Sequence, residues 1–166
     1  MKSMRRLGLV LAVIIMAVLF VSSSMTYQQQ TSIPFLQKYL VSKPFESLIN
    51  QIDFHYGDLW VSVNNGGYFK VIEFFIRKFA HFSTYFLLGA GLFIGLEKKI
   101  RNKFITASIV FIFAALYAAS DEFHQMLTGG RTPMIQDVIL DSFGALCAII
   151  IIIIIEKIRL ILLKRW

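Results

Sequence analysis

Residues 138–155 read VILDSFGALCAIIIIIII, eighteen positions with a single charge, Asp141. A helix that crosses the hydrocarbon of a bilayer needs about 20 mostly apolar residues, within a range of about 17–25. The stretch meets that length, and isoleucine fills every position from Ile149 to Ile155, so no polar face is left for water. Working outward, three more windows have this character: 104–120, 79–96, and 7–24 behind Lys2, Arg5 and Arg6. The fold class expected is all-α. It is a polytopic membrane protein built as a four-helix transmembrane bundle, one domain over 1–166, with a short amphipathic extracytoplasmic segment at about 25–78.

Composition agrees. The chain is 57% hydrophobic and 16% charged, against about 45–50% and about 25% in soluble domains. A net charge of +7 would suit nucleic acid, but basic residues flanking apolar spans are explained by membrane topology instead. No nucleic-acid partner is expected. The one cysteine, Cys147, lies in an apolar run, which rules out a disulfide framework within the chain.

Orientation follows from where lysine and arginine lie. With the N-terminus inside, residues 1–6, 97–103 and 156–166 face the cytoplasm and hold eleven basic residues but only two acids, Glu97 and Glu156. The other side then keeps six of the basic residues and eight of the acids, as the positive-inside rule requires. A basic start, an apolar stretch and Ser22-Ser23-Ser24 also resemble a secretory signal peptide. The long run and indistinct small-residue site favour a retained anchor. The multi-pass reading places both termini in the cytoplasm of a plasma membrane.

Between the first and second spans, Pro44 predicts the start of a short helix with Phe45, Leu48, Ile49 and Ile52 on one face. Residues 53–58 read as a break and Asn64-Asn65-Gly66-Gly67 as a turn. Residues 68–77 should begin the helix that becomes the second span. Past Glu156 the apolar periodicity continues, predicting a helix into the interface with Trp166 as an anchor.

Charged groups inside spans are costly and are functional candidates by default. Here they gather at one depth. Lys78, His81 and Tyr85 stand at i, i+3 and i+7 on one face of the second span. Glu122 and Gln125 are one turn apart at the end of the third, and Asp137, Asp141 and Gly144 form a stripe at the start of the fourth. Arg131 follows Gly129-Gly130 in the loop between them. These eight polar residues, Lys78, His81, Tyr85, Glu122, Gln125, Arg131, Asp137 and Asp141, are the candidate ligand-binding set. Three readings stay open: an ion-pair network that serves packing alone, a site for a lipid headgroup or other ligand, and a proton or ion relay.

The catalytic signal is weak. Neither an HExxH pair, a GxSxG elbow nor a phosphate-cradling glycine loop is present. Glu122-Phe123-His124 brings an acid and an imidazole together without a third ligand, so no metal and no cofactor is expected. Membrane lipids are the expected partners.

Arg77-Lys78-Phe79-Ala80-His81-Phe82, with Tyr85 and Leu88-Gly89, resembles the first motif of the VanZ-like family. Asp121-Glu122-Phe123-His124-Gln125, then Gly130-Arg131, Asp137, Asp141 and Gly144, resemble its second; Ser22-Ser23, Tyr27 and Gln30 look like the polar exit from its first span. Thr84 stands where some members carry an acid, and Asp141 where many carry Asn. The resemblance implies a four-helix protein of the bacterial plasma membrane. The family is named for a member associated with low-level teicoplanin resistance, which makes a lipid-linked cell-wall precursor a further candidate partner. No agreed biochemical activity comes with the resemblance. An enzyme acting on a phosphoryl or acyl group of a lipid, or a structural accessory subunit, are the alternatives to a binding protein.

Overall fold

The structure, a computed structural model, describes residues 2–100, 102–128 and 133–163. Four long helices dominate: α1 (Lys2–Ser23), α6 (Tyr68–Ile100), α7 (Lys103–Leu127) and α8 (Ile135–Leu163). All four are long and apolar enough to cross a membrane. Between α1 and α6 lie α2 (Tyr27–Gln30), α3 (Ile33–Tyr39), α4 (Glu46–Ile49), β1 (Asp53–Tyr56), β2 (Leu59–Ser62) and α5 (Val63–Gly66). The expected four-helix membrane class is what the chain adopts.

The helices outrun their hydropathy windows. α6 starts at Tyr68, as expected for the helix that becomes the second span, while α7 reaches Leu127 rather than 120 and α8 begins at Ile135 rather than 138. Hydropathy stops where charge begins, but Lys, Glu and Arg are good helix formers and continue the ladder. The extension of α8 expected past Glu156 is present to Leu163. The Trp166 anchor falls outside the described residues.

α6 is the central element and packs against α1, α7 and α8. Helix association in a membrane depends on close van der Waals packing, which small residues permit. At the α6–α8 crossing a Cβ added to Gly144 would stand 2.5 Å from the Phe82 carbonyl oxygen. The α1–α6 crossing is as tight, since a Cβ on Gly91 would lie 2.7 Å from the Gly8 carbonyl oxygen. Around these crossings Tyr85, Leu88, Ala118 and Leu19 form one buried cluster, and Phe93, Val110 and Ile149 a second. At the far end Lys103 pairs with Glu156, joining α7 to α8.

The segment before α6 departs from expectation. The predicted break at 53–58 is half of an antiparallel hairpin in which Asp53 faces Ser62 and Tyr56 faces Leu59. Gly57, at φ +61°, makes the turn, a conformation that costs glycine least. The predicted Pro44 helix shrinks to Glu46–Ile49, because Phe45 takes a left-handed φ of +57° that no regular helix can include. Its apolar face is only partly covered: Ile49 and Ile52 are half-buried and α4 touches α6, while Phe45 and Leu48 are largely exposed. The Asn64–Gly67 turn is present as α5 and Gly67, at φ +81°, and α6 starts at the next residue.

Candidate functional site

Reversal of direction at each loop brings the end of α1, the start of α6, the end of α7 and the start of α8 to one end of the bundle. Hydrogen bonds seal that junction. The Ser23 hydroxyl lies 2.8 Å from His124 Nδ1, the His124 ring stacks on Phe20, and the Thr128 hydroxyl donates to the Ser23 carbonyl at 2.7 Å. His124 is thus engaged in holding α1 to α7.

The central contact is between α6 and α8. Lys78 Nζ donates to both oxygens of Asp137, at 2.5 and 2.7 Å. The Tyr56 hydroxyl, carried in by β1, donates to the same carboxylate at 2.8 Å. The Lys78 ammonium also lies 4.5 Å from the Tyr56 ring centre and 5.3 Å from that of Phe74, an arrangement that favours a cation. Burial, and then the bond to Asp137, pushes the Tyr56 phenol well above its ordinary range, so it remains a donor at neutral pH.

Further along α6, His81 Nδ1 lies 3.3 Å from Asp141 Oδ2. On α7 the Gln125 amide donates to Asp121 at 3.1 Å. Glu122 Oε2 accepts the Met134 backbone N–H at 3.0 Å, which joins the end of α7 to the approach to α8. Glu122 Oε1, Asp141 Oδ1 and the Tyr85 hydroxyl are buried without a hydrogen-bond partner among the described residues. Buried polar atoms of this kind are uncommon and call for an explanation.

A cavity of about 410 Å³ opens at this end. Of the eight candidates, Lys78, His81, Glu122, Gln125 and Asp137 line it. Tyr85 and Asp141 do not reach its wall; Tyr85 is fully buried behind it, and Asp141 touches it only through His81. Arg131 lies outside the described residues. Among the described residues no group of three or more His, Cys, Asp or Glu side chains is arranged for a metal ion.

Several wall residues escaped the sequence reading. Lys70, Phe74 and Arg77 precede the candidate His81 at helical spacing and carry the cavity-lining face of α6 beyond the span; of the three, only Arg77 entered the sequence reading, as part of the Arg77-Lys78 motif. Lys70 and Arg77 form no ion pair among the described residues, and Arg77 lies 5.0 Å from the centre of the Tyr27 ring. Glu73, only 2% exposed, accepts from the Tyr27 hydroxyl at 2.7 Å, the Thr31 hydroxyl at 2.8 Å and the Ser32 N–H at 2.6 Å. It clamps the chain after α1 onto α6. Burial and the bond to Glu73 push the Tyr27 phenol up, so it too stays a donor. The helix was expected from residue 68, and following its polar positions upstream of Arg77 would have found Lys70 and Glu73. Nothing local announces Tyr56, whose partner is 81 positions away.

No curated protein and no solved structure matches the chain significantly. The family profile described as VanZ/LLP1 matches residues 8–156, taking in α6, α7 and most of α1 and α8, the clamp at Glu73 and every described member of the polar cluster. By that match the chain belongs to the VanZ/LLP1 family.

Proposed function

We propose that this VanZ-family chain binds an anionic lipid, or the phosphate of another lipid-linked envelope component, in the cavity at the α6–α8 end of its bundle. The observation that carries the reading is the pair Lys70 and Arg77. Both line the cavity, and neither is neutralised by an ion pair among the described residues. Lys78, by contrast, is committed to Asp137, so its part is to hold the wall. A guanidinium can meet a phosphate through two parallel hydrogen bonds, which suits Arg77; the same role for Arg131 rests on its place in the sequence. The charge asymmetry of the loops supports a plasma-membrane orientation with both termini inside and the cavity outside. A contribution to the envelope's response to glycopeptides such as teicoplanin is proposed on the family relationship alone.

The test is lipid retention by purified protein in nanodiscs. Phosphatidylglycerol should be enriched over phosphatidylcholine, and Lys70→Ala with Arg77→Ala should weaken that enrichment. At about 1 kcal/mol per basic residue near an anionic surface, the double change should cost about 30-fold. Unchanged retention at normal protein yield would overturn the reading.

One observation favours a second reading. Asp141 holds Nδ1 of His81 while the ring lines the cavity, the arrangement that orients an imidazole as a general base. If the chain is an enzyme acting on a phosphoryl or acyl group, purified protein will turn over a labelled lipid, and His81→Ala will abolish it.

A further inference from the structure

The cavity is not uniformly basic: four acids line it, and the buried Glu122 is not fully satisfied. Glu122 lines it and is only 6% exposed. One carboxylate oxygen is used, accepting the Met134 N–H, while Oε1 has no partner among the described residues. The other acids on the wall differ. Asp58 is exposed to water, Asp137 is covered by Lys78 and Tyr56, and Glu73 by three donors from α2 and the residues after it. The orphaned atoms of Asp141 and Tyr85 lie behind the wall, where a ligand does not reach. Among the wall acids Glu122 therefore stands out as a buried side chain with an unsatisfied oxygen, lining the same space as Lys70 and Arg77, neither of which is in an ion pair among the described residues.

An anion bound by those two cations leaves Oε1 unsatisfied, and an unsatisfied buried carboxylate oxygen is more costly than an ordinary missing hydrogen bond. A ligand with negative charge at one end and a donor at the other satisfies both. Phe74, Leu59 and Met134 on the same wall suit the glycerol and first acyl methylenes of a lipid rather than a fully hydrated solute.

We infer that the cavity takes a lipid whose phosphate meets Lys70 and Arg77 and whose headgroup presents a hydroxyl or ammonium donor to Glu122. This rests on the anionic-lipid reading above and narrows it. Phosphate and carboxylate act as two poles, and the pocket selects among lipids of equal charge by what they carry beyond the phosphate.

Matched pairs of lipids in nanodiscs test it. Phosphatidylglycerol and phosphatidylmethanol have the same charge and differ in hydroxyl donors; phosphatidylethanolamine and phosphatidylcholine differ in ammonium donors. A preference of about tenfold for the donor-bearing member is expected in at least one pair, the size of one charge-assisted hydrogen bond. The pair that shows it identifies hydroxyl or ammonium. Glu122→Gln keeps a carbonyl oxygen for the Met134 N–H but replaces Oε1 with an amide donor. It should reduce the preference to about twofold or less while phosphatidylmethanol binding persists. Equal binding within both pairs, with phosphatidylglycerol and phosphatidylmethanol both above phosphatidylcholine, overturns this inference and leaves the anionic reading standing. Failure of every lipid to exceed phosphatidylcholine overturns both. A preference that survives unchanged in Glu122→Gln also overturns the inference, and the wild-type comparison decides the matter if that variant does not fold.

Discussion

Breaking the Lys78–Asp137 pair from either side should destabilise the bundle far more than breaking a surface ion pair. The side chains are 15% and 7% exposed, and Lys78 makes two short bonds to one carboxylate. Removing one partner of a buried pair costs about 3–5 kcal/mol, because the survivor stays charged and uncompensated. Lys78→Met leaves the carboxylate with the Tyr56 hydroxyl as its donor, which places the loss near the lower end, about 3 kcal/mol. Asp137→Asn leaves an ammonium against the rings of Tyr56 and Phe74, with an amide oxygen still able to accept, and should cost about the same. The double variant carries neither charge, so its loss should fall short of the sum by about 2 kcal/mol. The assay is a four-way cycle of denaturant unfolding in mixed micelles, followed by far-ultraviolet circular dichroism. Because the pair is shielded, the coupling should change little between about 0.1 M and about 1 M salt. Single losses under about 1 kcal/mol, the range of exposed pairs, or additivity within about 0.5 kcal/mol, would refute the reasoning.

Two other changes probe how the chain before α6 is held. Glu73→Ala removes the common acceptor of Tyr27, Thr31 and Ser32; amide exchange across 26–40 should rise about 100-fold while the α6–α8 core stays protected, and unaltered protection would contradict the clamp. Tyr56→Phe deletes a bond to a charged carboxylate and should cost about 1.5–3 kcal/mol at neutral pH by the same unfolding assay. The pH dependence has a definite sign. The folded phenol holds its proton above the ordinary value of 10.0, so the unfolded chain loses its proton first and stability falls as pH rises past about 10. Tyr56→Phe should flatten part of that decline between about pH 9 and about pH 11; an identical slope would mean that Tyr56 does not titrate in this way.

The spans were legible because a bilayer imposes one demand, continuous apolarity, and Ile149–Ile155 or Phe104–Ser120 answer it without reference to the rest of the chain. Helix ends were legible only in part: the start of α6 was, but the end of α7 and the start of α8 were not, since Asp121, Glu122 and Asp137 interrupt hydropathy without interrupting the helix. Helical spacing placed Lys78 and His81 on one face and Asp137 and Asp141 on another, and the fold joins them in register, Lys78 to Asp137 and His81 to Asp141. Spacing could not say that Lys78 would be spent internally, because that depends on a partner 59 positions away. The hairpin was read as a break, although its Gly57-Asp58 pair is a fair turn signal. Its strands are only four residues each, too short for alternation to register. Their pairing is supported by tertiary contacts, with Phe54 and Tyr56 packed on Phe74.

The length of α6 has a further consequence. Its 33 residues measure about 50 Å, well beyond the about 30 Å of hydrocarbon that a helix tilted by about 20° has to cross. From Lys78 to Lys98 is one hydrocarbon thickness, about 30 Å, so the two charges act as floats at opposite faces of the bilayer. Of the residues on α6 before Lys78, Arg77 and Glu73 then ride in the headgroup layer and Lys70 at or just beyond its outer edge. A thicker membrane would draw this collar inward, and a thinner one would lift it toward water. Hydrophobic mismatch thereby becomes an input to the cavity, whose basic residues would sit at different depths in membranes of different thickness.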